Sequence, residues 1–215
     1  MSKTKFIATN AILIALTIVF MAIPITVGPI RLAVLMLVPI VVASQALGFK
    51  SSLVSSAALG IMSCVFSLMF SADPLSILFR NPLVSILPRL FIGPVMYGVY
   101  TGFVKLMKNK KGSKVIASFF GTMAGVITNT VLVVAMMWAL YYNREISGTV
   151  ISKEFLSGLL ALNFVIEITV CSIISPPIVI AVQKMIKGDI KRRSRKNNED
   201  KSLSVNLEKE TDKTA

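Results

Sequence analysis

The chain has 215 residues, 54% hydrophobic and 15% charged, with a mean hydropathy of +0.76, a balance far outside that of soluble globular domains and one that makes it an integral membrane protein. Its formal net charge of +13 does not point to nucleic acid, because the basic residues cluster where the chain leaves its apolar runs. With no histidine, and with Cys64 and Cys171 both set in apolar runs without a CxxC partner, the sequence supplies no metal site, no Ser-His or Cys-His pair and no disulfide framework.

Apolar runs near the length needed to cross a hydrocarbon core predict six membrane spans, over residues 6–23, 32–48, 53–70, 83–106, 115–142 and 155–186. The expected fold is therefore an all-α, six-helix membrane bundle over residues 1–188. The first run follows Met-Ser-Lys-Thr-Lys and has no small-x-small cleavage site near Ile23-Pro24, so it reads as a retained helix. It carries Ala11-Ile-Leu-Ile-Ala15, two small residues one turn apart, which give a flat stripe where another helix can approach closely. Pro24 and Gly28-Pro29 end this span, and Gly48-Phe-Lys-Ser-Ser separates the second from the third.

Asn81-Pro82 opens the fourth span after a polar loop from Ser71, with proline at a helix start where its missing N–H costs nothing. Pro88 is read as internal to that helix, freeing a carbonyl one turn back and loosening the backbone. Lysines 108–114 lead into the fifth span and residues 143–153 into the sixth. Ser175-Pro176-Pro177 predicts a bend in the last span. Residues 189–215 are charged and polar with too little apolar surface to fold, and are expected to form a disordered tail. Its basic start, Lys191-Arg-Arg-Ser-Arg-Lys196, reads as a topology determinant, with anionic lipid head groups as the other reading.

Lys3, Lys5, Lys50, the lysines from Lys105 to Lys114 and the basic run from Lys184 to Lys196 fall on one side of this zigzag. The other side holds Arg31, Arg80, Arg144 and Lys153, partly offset by Asp73, Glu145 and Glu154. Positive charge is retained in the cytoplasm, so both termini are expected inside and the loops at 24–31, 71–82 and 143–154 outside.

An ionised side chain within a span costs about 2.5 to 3.5 kcal/mol even on insertion scales, so Arg89 and Glu167 mark candidate function. Arg89 lies about two turns into the fourth span and Glu167 about 18 Å along the sixth, at 1.5 Å per residue. Asn163 and Glu167 share a helix face, and Asn129 sits near the middle of the fifth span. One reading is an interhelical Arg–Glu pair with amide hydrogen bonds that only holds the bundle together. The other is a water-accessible pocket, open to the outside and lined by Arg89, Asn129, Asn163 and Glu167, where the guanidinium fork grips a carboxylate. Arg31, Arg80 and Asn81 are candidates for a lid. Trp138, Tyr141 and Tyr142 suit an interfacial belt, with Trp138 also placed to stack on a ligand.

These features resemble the substrate-binding S components of energy-coupling factor (ECF) vitamin transporters. The likeness rests on size, six spans with both ends inside, Ala11-x-x-x-Ala15, and the segment NPLVSILPRLFIGPVMYGVY from Asn81 to Tyr100, which is similar to the pantothenate-type branch. It covers about residues 5–190. The resemblance implies a multi-pass protein of the bacterial plasma membrane that captures a water-soluble vitamin outside. Pantothenate is the first expectation, with riboflavin, folate, cobalamin and related nutrients open. It implies partnership with a transmembrane T subunit, contacted through Ala11 and Ala15, and with two ATPases that supply the energy while the S subunit topples in the bilayer. The chain has no Walker-type motif, in keeping with a non-enzymatic subunit without a cofactor of its own. The rival is a stand-alone proton- or ion-coupled transporter with Glu167 as its titrating group. A membrane-embedded enzyme is poorly supplied with nucleophiles and metal ligands.

Overall fold

In hydrocarbon every backbone N–H and C=O must find its partner inside the chain, which makes the apolar runs helical. A computed structural model gives this outcome and describes residues 3–23, 25–27, 30–32, 34–70, 77–108, 110, 112–142, 145–146, 149–150, 158 and 164–188. Helix α1 is Lys3–Ala22, α2 Val34–Val42, α3 Phe49–Phe70, α4 Pro82–Ser85, α5 Leu87–Leu106 and α6 Ser113–Tyr141. The last, α7, is Phe164–Gly188. Among the described residues five helical stretches are long and apolar enough to cross a membrane, with α4 and α5 together forming the span Pro82–Leu106. The protein is a multi-pass membrane protein whose spans are all helical.

The second span is shorter than the others. Pro39 sits inside α2, and the chain then widens into a π-helix over Ala43–Leu47, closed by a hydrogen bond from the Gly48 N–H to the Ala43 carbonyl at 3.0 Å. Gly48 takes φ 105°, a left-handed conformation open to glycine, and α3 starts at the next residue. Two segments expected as plain loops contain hairpins. Ile25–Val27 (β1) pairs antiparallel with Ile30–Leu32 (β2), and Glu145–Ile146 (β3) with Thr149–Val150 (β4). The alternation Ile-Thr-Val and Ile-Arg-Leu about Gly28-Pro29 is a period-two pattern that favours strand pairing over an open loop. The expected start of the sixth span at 155, the loop at 71–76 and the tail at 189–215 lie outside the described residues.

The chain forms two compact units, residues 1–179 and 180–215. In the first, α5 packs along α6 and against α3. Glycines set these approaches. A Cβ built on Gly93 would lie 2.7 Å from the Ser52 carbonyl, and one on Gly121 3.1 Å from the Met96 carbonyl. The Gly93 N–H reaches the Ser56 hydroxyl at 3.0 Å, so hydroxyl-bearing α3 meets α5 nearly backbone to backbone. The central core is apolar, with Leu37, Ile40, Leu59, Ile92, Met96 and Val126 buried together. A second cluster of Leu78, Val84, Val133 and Met137 joins the segment before α5 to the last turns of α6.

Candidate functional site

Two features of the chain bring a charge between these apolar clusters. Asn81 caps α4, its Oδ1 accepting from the Leu83 N–H at 3.1 Å, and Pro82 follows at the first helical position. The helix then breaks at Ile86 and restarts at Leu87. Gly60 of α3 is why the break fits there: a Cβ at that position would come 3.0 Å from the Ile86 Cα, and the Ser85 hydroxyl donates to the Gly60 carbonyl at 3.4 Å. Pro88, expected inside a continuous helix, instead stands in the first turn of α5, where it leaves no intrahelical donor missing. The loosening lies at Ile86, two residues earlier.

Arg89 follows at once and is 6% exposed. Its Nη1 donates to the Ser85 carbonyl at 2.9 Å, bridging the break, and its guanidinium carbon stands 4.6 Å from the centroid of the Phe79 ring. Glu167, 5% exposed in the first turn of the described part of α7, acts on Arg89 electrostatically. The two ionisable side chains singled out within the spans are thus brought into one neighbourhood. In a medium of low dielectric each stabilises the other's charged form.

The roof over Arg89 is the segment from Ile77 to Ile86. It is tied to α3 by Arg80, whose Nε donates to the Ser67 carbonyl at 3.4 Å and whose carbonyl accepts from Cys64 Sγ at 3.7 Å. It is tied to α6 by Asn81, whose Nδ2 donates to the Tyr141 hydroxyl at 3.1 Å. Arg80 and Asn81 therefore both hold the roof. The expectation of a guanidinium facing a pocket open to water differs from this arrangement, in which Arg89 and Glu167 are enclosed. Phe79 covers one face of the cation with its ring and supplies part of its electrostatic stabilisation.

Asn129 lies on the inward stripe of α6 with Val126, Val133 and Met137, and its Oδ1 is buried with no hydrogen-bond partner among the described residues. An acceptor left in this state is a ready partner for an incoming donor. Trp138 is 52% exposed and packs edge to face on Tyr142 with ring centroids 5.7 Å apart, an arrangement suited to the interfacial belt. Asn163 lies outside the described residues. Ala11 and Ala15 are exposed on α1. The sequence reading missed Phe79, Ser85, Cys64 and Gly60. Phe79 and Ser85 stand ten and four residues before Arg89, the second one helical turn back and the first ahead of the helix altogether. Gly60 carried a signal, as a glycine inside an otherwise unbroken helical run.

The arrangement suits contact with a small polar molecule carrying an anionic group, since it offers a forked cation for a carboxylate and a neighbouring carboxylate for hydroxyls. A family model described as ECF transporter, substrate-specific component, matches residues 5–179. No curated protein matches the sequence.

Proposed function

Because this chain belongs to the substrate-specific components of ECF transporters, we propose that its buried Arg89 site captures a carboxylate-bearing, water-soluble vitamin, with pantothenate the first candidate. The observation that carries this reading is the enclosed Arg89, held by the Ser85 carbonyl, covered by Phe79 and facing the charge of Glu167. The ligand carboxylate takes the guanidinium fork, its hydroxyls face Glu167, and Asn129 Oδ1 accepts from an amide N–H. Pantothenate has each of these groups. Asn163, expected from its i, i+4 spacing to share a face with Glu167, is assigned to the same site. Trp138 is assigned to its outer rim.

On this reading the site opens outward, both termini are cytoplasmic, and the protein resides in the bacterial plasma membrane. The Lys and Arg asymmetry supports that orientation. Ala11 and Ala15 form the contact with the T subunit, and ATP hydrolysis takes place in the partner ATPases. Calorimetry of the detergent-purified chain against a vitamin panel tests the proposal. Tight binding of pantothenate, or of another carboxylate-bearing vitamin, is expected. Binding of none, together with uptake that needs no ATPase partner and collapses with the proton gradient, would select the ion-coupled alternative based on Glu167.

A further inference from the structure

Helix α1 poses a problem of orientation. It is apolar nearly all round, and only 17% of its membrane window is buried within the chain. In water an amphipathic stripe decides which face turns inward, but lipid tails accept Ala, Ile and Leu on any face. Hydrophobicity therefore leaves the rotation of α1 about its own axis undetermined. A polar contact must set it.

The inward face consists of Asn10, Leu13 and Thr17, all buried, while Ile7, Ala8, Ala11, Ile12 and Ala15 are exposed. Thr17 turns its hydroxyl back on its own helix, donating to the Leu13 carbonyl at 2.8 Å. Asn10, 4% exposed, does otherwise: Nδ2 donates to the Phe6 carbonyl at 2.8 Å and also to the Ser51 hydroxyl of α3 at 3.2 Å. The bond to Phe6 fixes the side chain against α1, and the bond to Ser51 fixes α1 against α3. At 3.6 residues per turn, Ala11 and Ala15 lie about 100° and 140° round the helix from Asn10, so its inward hydrogen bond turns them outward.

We infer that Asn10 is a positioning residue that sets the rotational register of α1 through Ser51 and thereby presents the Ala11–Ala15 face to the transmembrane partner. The second half of this statement rests on the proposed role of Ala11 and Ala15. The first half does not.

Spin labels introduced one at a time at positions 13 and 15 of a Cys64→Ser/Cys171→Ser chain, reconstituted in phosphatidylcholine vesicles, report the register through their accessibility to dissolved oxygen. With Asn10 present, position 15 is open to lipid and position 13 is shielded. In Asn10→Leu the contrast is expected to shrink or invert, and Ser51→Ala, which removes a single hydroxyl and so is far less prone to misfolding, is expected to shift it the same way. Retention of the T subunit on co-purification is expected to fall about tenfold in both variants, with vitamin binding changed by less than about twofold. Unchanged accessibilities in both variants would overturn the inference. A shifted register with full T-subunit retention would uphold Asn10 as the register-setting residue and count instead against the assignment of Ala11 and Ala15.

Discussion

The guanidinium of Arg89 lies over the ring of Phe79, 4.6 Å from its centroid, although the two residues are ten positions apart and separated by a helix break. That relationship turns a cation within a membrane span into a covered site. It also sets Phe79 apart from the apolar residues around it, and on the proposed function the ring is the gate over the cation. Replacing Phe79 by Ala should speed both entry and release and weaken vitamin binding about five- to thirtyfold, in line with about 1–2 kcal/mol for a desolvated cation–π contact. Stopped-flow fluorescence or filter-binding kinetics would check it. An unchanged release rate would show that the ring is not the gate.

Arg89→Lys separates charge from geometry. A lysine keeps the cation but loses the fork that grips a carboxylate through two bonds. Vitamin affinity should fall at least tenfold in Arg89→Lys and about a hundredfold or more in Arg89→Gln, measured by calorimetry. Equal affinity in Arg89 and Lys chains would argue that the guanidinium meets only Glu167.

Glu167→Gln has opposite expected effects on stability and binding. Without the carboxylate the buried Arg89 loses a charge partner, so the ligand-free protein should melt several degrees lower. A ligand carboxylate then has the cation to itself, and its affinity should rise severalfold. If the pair served the bundle alone, stability would fall with no gain in affinity for any carboxylate.

Close helix packing makes its own prediction at Gly93. A methyl group there meets the Ser52 carbonyl and the Ser56 hydroxyl, so Gly93→Ala must push α5 away from α3 and should cost about 1–3 kcal/mol. Thermal unfolding in detergent would register this as a clear loss of Tm. Gly98→Ala, on the same helix with open space around it, is the control and should be neutral or mildly stabilising.

Much of this architecture is legible in the sequence because bilayer thickness and backbone hydrogen bonding leave few choices. Of the six expected spans, five are long apolar helices among the described residues and the second is a shorter one, Asn81-Pro82 gives the expected helix start, and the rarity of charge within spans singles out Arg89 and Glu167. What escaped the sequence reading depends on contacts between helices. Pro88 has the same sequence signature inside a helix as in its first turn, and the close approach of Gly60, on another span, to Ile86 is not readable from the sequence. The π-helix at Ala43–Leu47 likewise depends on Gly48 taking a left-handed conformation, which a glycine permits but does not require. Phe79 read as one more apolar residue before a helix, since nothing in its neighbours announces the cation it covers.

Capture of a carboxylate-bearing vitamin at Arg89 is tested most directly by mass spectrometry of the small molecule retained by the wild-type chain and by Arg89→Gln, each purified from cells in the same rich medium. A carboxylate-bearing vitamin at near one-to-one occupancy in the wild type, and absent from the variant, is the predicted result. A wild-type protein that carries and binds no vitamin, or a vitamin retained equally by Arg89→Gln, would contradict it.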